Sequence, residues 1–61
     1  MQSKSDLHYR WKDDELIVKK TNGRRQVFPR ARDVYRNGED VMVVTALGHI
    51  VRVDKYGNKH W

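Results

Sequence analysis

The feature that most limits the fold of this sequence is its pattern of short alternating stretches. In each stretch apolar and polar residues alternate, and a turn follows. Leu7, Tyr9 and Trp11 alternate with polar and basic residues, which is the pattern of a half-buried β-strand. The glycines are spread one to a turn, as Gly23, Gly38, Gly48 and Gly57. Short apolar stretches at this regular spacing predict an all-β fold.

Residues 15–28 carry the pattern of a β-hairpin. Leu16 to Val18 begin one strand, and the return strand is expected from about Arg24 to Phe28. Between them stands Asn22-Gly23, a pair typical of type I′ turns because both central residues of such turns need positive φ. The sequence therefore predicts a hairpin with a two-residue loop.

The segment after Pro29 is less regular. Proline has no amide proton for a strand ladder, so we expect the third strand to end there. Ala31 and Val34 recur at helical spacing, and a glycine, Gly38, follows the segment. Proline at the start and glycine at the end is the asymmetry of a helix, so a short helical turn is predicted over residues 30–36. An irregular linker is the alternative.

The C-terminal part reads as two or three further strands. Residues 41–47 are apolar on both faces, which indicates a central strand covered on both sides. Residues 49–54 alternate again and predict its hairpin partner. A last turn at Gly57 precedes a short final strand, in which Trp61 is expected to close the core.

These elements predict one small domain over residues 7–61, preceded by a flexible tail at residues 1–6. Five or six short strands in so short a chain favour a small SH3-like or Sm-like barrel, or a strongly bent antiparallel sheet. A flat three-stranded sheet beside a separate hairpin is the alternative. No internal repeat is apparent in the sequence.

The small size of the chain restricts how it can be stabilised. A 61-residue chain buries only about 60 % of its unfolded surface, and it contains no cysteine for disulfides or thiolate zinc sites. Oligomerisation is the remaining way to gain buried area. Neither a membrane span nor a signal peptide is visible, and we expect a cytoplasmic protein.

No arrangement of residues points to catalysis or to a metal. His8, His49 and His60 lack the spacing that places two ligands on one face of an element. No hydroxyl residue stands beside a base and an orienting group, and no glycine-rich phosphate loop is present. We therefore expect a binding protein that is not an enzyme and that needs no cofactor.

Positive charge is concentrated in the middle of the chain. The net charge is +5, yet residues 19–36 hold seven basic residues against one acid, and the rest of the chain is slightly acidic. Such a run is typical of partners that are polyanions. The basic residues of this segment are Lys19, Lys20, Arg24, Arg25, Arg30, Arg32 and Arg36.

Two functional hypotheses follow from this charge. The first is an accessory or regulatory protein that binds nucleic acid, DNA or RNA, with these seven residues on phosphates and Tyr35 stacking on a base. A basic two-stranded ribbon also fits the major groove of B-DNA. The alternative is a protein-interaction or oligomerisation module that binds an acidic partner through an SH3-like surface or an edge strand.

Overall fold

A computed structural model describes residues 7–21 and 23–61. The N-terminal tail predicted for residues 1–6 lies outside the described residues, as does Asn22 of the predicted turn. The described residues form seven strands and no helix, so they include no helical segment that could cross a membrane. The strands are β1 (Leu7–Lys12), β2 (Glu15–Lys20), β3 (Arg25–Pro29), β4 (Asp33–Asn37), β5 (Asp40–Val44), β6 (Ile50–Val53) and β7 (Lys59–His60).

The strands build two antiparallel sheets, and the predicted all-β fold is confirmed. One sheet has the order β1-β2-β3, and the other has the order β4-β5-β6-β7. We call them the three-stranded and the four-stranded sheet. Within each sheet, every strand pairs with its neighbour in sequence, because each connection is a short turn.

One hydrophobic core is shared by both sheets. Each sheet contributes four side chains that are at least nine-tenths buried, and Ala31 and Val34 pack against them. Burying one such side chain stabilises a fold by about 1.5–3 kcal/mol. The core consists of Leu7, Leu16, Val18 and Phe28 from the three-stranded sheet and Val41, Val43, Val51 and Val53 from the four-stranded sheet.

The helical turn predicted over residues 30–36 is wrong, since most of that segment is strand β4. Val34 pairs with Val43 and packs against the core, whereas Tyr35 points outward, which is strand alternation. Pairing with the apolar strand β5 outweighs the weak helical spacing. Gly38, expected to end a helix, has a φ of 65° and begins the two-residue loop between β4 and β5.

The predicted two-residue turn between β2 and β3 is wrong, because the hydrogen bond between Lys20 and Arg24 closes a hairpin loop of three residues, 21–23. The amide of Lys20 donates to the carbonyl of Arg24, and the amide of Gly23 donates back to the carbonyl of Lys20. Gly23 has a φ of 113°. The loops that end in Gly48 and Gly57 have the same two hydrogen bonds and a glycine with positive φ at the same place. A positive φ at the third loop residue is the mark of this hairpin class.

The two sheets share one pairing scheme, which the sequence does not reveal. A shift of 25 positions carries the Lys12–Glu15 pair onto the Asn37–Asp40 pair. The same shift relates the pairs of β2 with β3 to those of β5 with β6. Three inward positions keep their apolar character under this shift, since Leu16, Val18 and Phe28 correspond to Val41, Val43 and Val53; at a fourth, Gln26 corresponds to Val51. The chain is therefore a three-stranded meander used twice, with β7 added.

The expected role of Trp61 in the core is wrong. Its side chain is 84 % exposed, as is that of Leu47. Strand β5 ends at Val44, earlier than the predicted end at residue 47, because Thr45 accepts the turn hydrogen bond from Gly48. Both large side chains therefore stand outside the core on the surface.

Two side chains link the sheets by hydrogen bonds. A guanidinium nitrogen of Arg36, in β4, donates to the carbonyl of Leu7, in β1, at 2.8 Å. The side-chain amide of Gln26, in β3, donates to the carbonyl of Gly57 at 2.9 Å. These bonds hold β1 against β4, and β3 against the loop that follows β6.

Asp54 organises the loop between β6 and β7. Its carboxylate accepts hydrogen bonds from the amides of Tyr56 and Asn58, and its second oxygen lies 2.6 Å from Nε2 of His60. The hydrogen bond with His60 and the hydrogen bond from the backbone amide of Asn58 hold the pKa of Asp54 below its ordinary value. The negatively charged form of this carboxylate therefore stabilises the loop.

Candidate nucleic-acid interface

Most side chains on the outward side of the three-stranded sheet are exposed to solvent, and we call this side the basic face. Strand alternation and the pairing of β1, β2 and β3 put nine side chains on it. Four are basic, one is acidic, and all except Ile17 are exposed. These nine are His8, Arg10, Lys12, Glu15, Ile17, Lys19, Arg25, Val27 and Pro29.

A row of basic side chains crosses the basic face. Lys19 in the central strand pairs with His8 on one side and with Arg25 on the other. Side chains directly opposite on neighbouring antiparallel strands lie about 5 Å apart at Cβ, and like charges in such pairs are destabilising. The fold thus holds two permanent positive charges next to each other, with an imidazole beside them.

This row has no carboxylate partner among the residues that the structure describes. Acids and bases elsewhere do pair: Arg52 lies 3.5 Å from Asp40, and Lys55 lies 3.5 Å from Glu39. Tyr56 and Glu39 raise the pKa of Lys55. These ion pairs neutralise two cations of the four-stranded half, whereas no ion pair among the described residues compensates the row of the basic face.

A shallow concavity of about 190 Å³ lies over this row. Its floor is Ile17, the half-buried residue of the face, and its rim includes Arg10, Lys19 and Arg25. His8 lies on the same rim, with Nε2 3.5 Å from the hydroxyl of Thr21. An anionic group bound over this apolar floor could accept charge-assisted hydrogen bonds from the surrounding cationic side chains.

The outward side of the four-stranded sheet has the opposite character. Its charged side chains are Asp33, Asp40 and Arg52, and the ion pair between the last two leaves it slightly negative. Tyr35, Met42, Ile50 and His60 occupy the rest of that side together with smaller groups. Of the two outward sides, only the basic face therefore carries an excess of positive charge.

The structure brings only two of the seven predicted basic residues together. Lys19 and Arg25 are direct neighbours on the basic face. Lys20 is half-buried on the inward side, opposite Leu7. Arg24 lies in the β2–β3 loop, where its aliphatic stem covers Gly57 so closely that a Cβ there would lie 2.8 Å from Cδ of Arg24.

The remaining predicted residues lie between the sheets or beyond them. Arg30 has a φ of 62° and donates its amide to the carbonyl of Asp14, whereas the amide of Arg32 donates to Val44. Arg36 bonds the backbone of β1 and has its guanidinium carbon 5.8 Å from the centre of the Tyr9 ring. Tyr35, predicted to stack on a base, is 43 % exposed on the other outward side.

Three members of the basic face were missed because they lie outside the basic run of the sequence. His8, Arg10 and Lys12 belong to β1, whose alternation already indicates that they point outward. The missing step is the pairing of β1 with β2. The short turn at Asp13-Asp14 between two alternating stretches is the signal that could have placed these side chains beside Lys19.

An open apolar groove of about 430 Å³ lies beside the basic face. It runs between β3, the β5–β6 loop and the end of the chain. Its volume falls in the range of roughly 300–1,000 Å³ found for small-molecule sites. Its walls include Val27, Phe28, Pro29, Leu47, Lys59 and Trp61.

One cation of this groove lies within about 6 Å of two aromatic rings. The amine of Lys59 is 5.4 Å from the ring centre of Trp61 and 5.7 Å from that of Phe28. Phe28 is only 7 % exposed, as expected for a core residue, whereas Trp61 offers most of its ring to solvent. The groove therefore combines an exposed aromatic surface with a fixed positive charge.

Comparison with known proteins gives no relative: no family model, no curated protein and no solved structure matches the chain. The described residues hold no group of three histidine, aspartate or glutamate side chains arranged to bind a metal ion.

Proposed function

We propose that this protein binds nucleic acid through the basic face, as an accessory or regulatory protein. The observation that carries the proposal is the row of His8, Lys19 and Arg25, in which like charges are direct neighbours without a carboxylate partner among the described residues. Such a row costs stability, and an anionic ligand would offset that cost. Phosphates spaced along a nucleic-acid backbone supply repeated negative charge for it.

Two further features support a polyanion over a single anion. The basic face extends beyond the row to Arg10 and Lys12, so positive charge runs along β1 as well as across the sheet. The side chains are exposed, and arginine can donate two parallel hydrogen bonds to a phosphate. A cytoplasmic location, as the sequence suggests, fits such a ligand.

A salt titration tests the proposal. Affinity for a labelled oligonucleotide is measured by fluorescence anisotropy at several salt concentrations, and the logarithm of the association constant should fall linearly with the logarithm of salt. Lys19→Gln should reduce the slope by about 0.7–0.9, the contribution of one phosphate contact. Lys55→Gln, on the four-stranded half, is the matched control and should leave the slope unchanged. Equal effects of the two variants would contradict the proposed face.

A protein-interaction module is the second candidate. β3 is an edge strand of the three-stranded sheet, and exposed Val27 lies on it beside the apolar groove. An added strand from an acidic partner or a second copy of the chain could pair there. Sedimentation over a range of concentrations tests self-association, because a monomer at every concentration would remove that version.

A further inference from the structure

The basic face and the apolar groove are one continuous surface. Val27 and Pro29 belong to both, since they point outward from β3 and also line the groove. Arg25 stands two residues before Val27 on the same strand, a distance of roughly 6.7 Å along the backbone. A ligand bound at Arg25 can therefore extend along β3 into the groove.

The groove has the chemistry of a stacking site. Trp61 is 84 % exposed, so its ring surface is open to a flat ligand. The Lys59 amine over the rings of Trp61 and Phe28 adds positive charge where a base and its phosphate would lie. Leu47 and Val27 supply apolar walls on either side.

We propose that the nucleic acid is single-stranded, with its phosphates on the basic face and an unpaired base stacked on Trp61 in the groove. This inference rests on the proposed function and specifies its substrate. A duplex would keep its bases stacked inside and could not fill the groove without losing a base pair. Single-strand binding proteins combine the same two elements, a positively charged track and aromatic side chains that stack on bases.

The experiment compares three probes of equal phosphate number per strand. They are a twelve-residue oligothymidylate, the same sugar–phosphate backbone without bases, and a twelve-base-pair duplex. The oligothymidylate should bind at least fivefold more tightly than the baseless backbone, as expected when a base stacks on an aromatic ring. Amide chemical shifts of Leu47, Lys59 and Trp61 should move with oligothymidylate only.

Variants assign the effect to the groove. Trp61→Leu should weaken oligothymidylate binding at least fivefold and leave binding of the baseless backbone unchanged, since the ring lies outside the core. Tyr56→Leu removes another exposed aromatic ring, one that does not line the groove, and should change neither. Lys59→Met keeps the aliphatic stem without the charge and should weaken oligothymidylate binding in the same direction.

The outcomes separate the inference from the function on which it rests. If none of the three probes binds, the proposed function and this inference both fail. If all three bind with the same affinity and the same dependence on Lys19, the basic face is a phosphate site, but the single-strand inference is overturned. The inference is also overturned if Trp61→Leu leaves oligothymidylate affinity unchanged, or if it weakens all three probes equally.

Discussion

Replacing Lys19 by glutamate should make the fold more stable while it weakens nucleic-acid binding. In the folded protein Lys19 faces Arg25 directly across two strands, so the substitution turns a repulsive pair into an attractive one. Two unit charges roughly 7 Å apart in water interact by about 0.6 kcal/mol, and reversing the sign doubles the change to about 1.2 kcal/mol. Screening at 0.15 M salt leaves about 0.5 kcal/mol.

A gain of this size is measurable in so small a domain. It corresponds to a rise of the unfolding midpoint temperature of about 4 °C, because a short chain has a small unfolding entropy. Thermal unfolding followed by circular dichroism at 0.15 M salt measures it. Raising the salt concentration should reduce the difference between the variant and the parent protein.

Lys12→Glu is the matched control for the same change in charge. Lys12 pairs with Glu15, so this variant replaces an attractive pair by a repulsive one and should lose about 0.5 kcal/mol. Both variants lower the net charge of the basic face by two and should weaken oligonucleotide binding. If the two stabilities shift in the same direction, the pairing argument is refuted, and with it the reading of the row as a functional cost.

Three further predictions test the backbone and the links between strands. Gly38→Ala should destabilise the fold by about 1 kcal/mol through its φ of 65° alone, because the added methyl would meet open space. Gly57→Ala should destabilise the fold more, because its Cβ would also lie 2.8 Å from Cδ of Arg24. Urea unfolding measures both changes. The pKa of Asp54 is lowered on folding, so its stabilisation is complete above about pH 4 and is lost as pH falls below it. Asp54→Asn, which keeps an acceptor for the loop amides, should lose that part of the acid dependence in thermal unfolding from pH 2 to 7. Arg36→Met should remove the charged hydrogen bond from the guanidinium to the carbonyl of Leu7 and lower the free energy of unfolding by about 1–3 kcal/mol, whereas an unchanged value would mean that water replaces the guanidinium.

Sequence alternation predicts most strands because their burial is one-sided. In β2, Leu16 and Val18 are buried and in β6 Val51 and Val53 are buried, as period-two patterns require. The alternation of β1 was only half informative. Leu7 is buried, but Tyr9 and Trp11 share its side of the strand and are exposed, because they lie nearer the edge of the core.

The errors come from information that lies in pairing. β4 has little strand signal of its own, and its pattern becomes that of a strand only beside β5. The three-residue loop after β2 depends on which amide pairs with which carbonyl across the hairpin, which residue preferences do not fix. For the same reason the basic run of residues 19–36 does not form one surface: folding divides it between the two sides of the sheets, the β2–β3 loop and the linker between the sheets.

In the repeated meander, the residues that form the core and the residues that form the outer surface lie on opposite sides of the strands. Under the shift of 25 positions, the three buried inward residues of β2 and β3 match the valines at the same positions of β5 and β6, because both copies contribute to the same core. The outward residues do not: the cationic pair of Lys19 with Arg25 corresponds to the apolar pair of Val44 with Ile50. Because the outward side chains do not form the core, the outer surface of one meander can change its chemistry without a change in the interior.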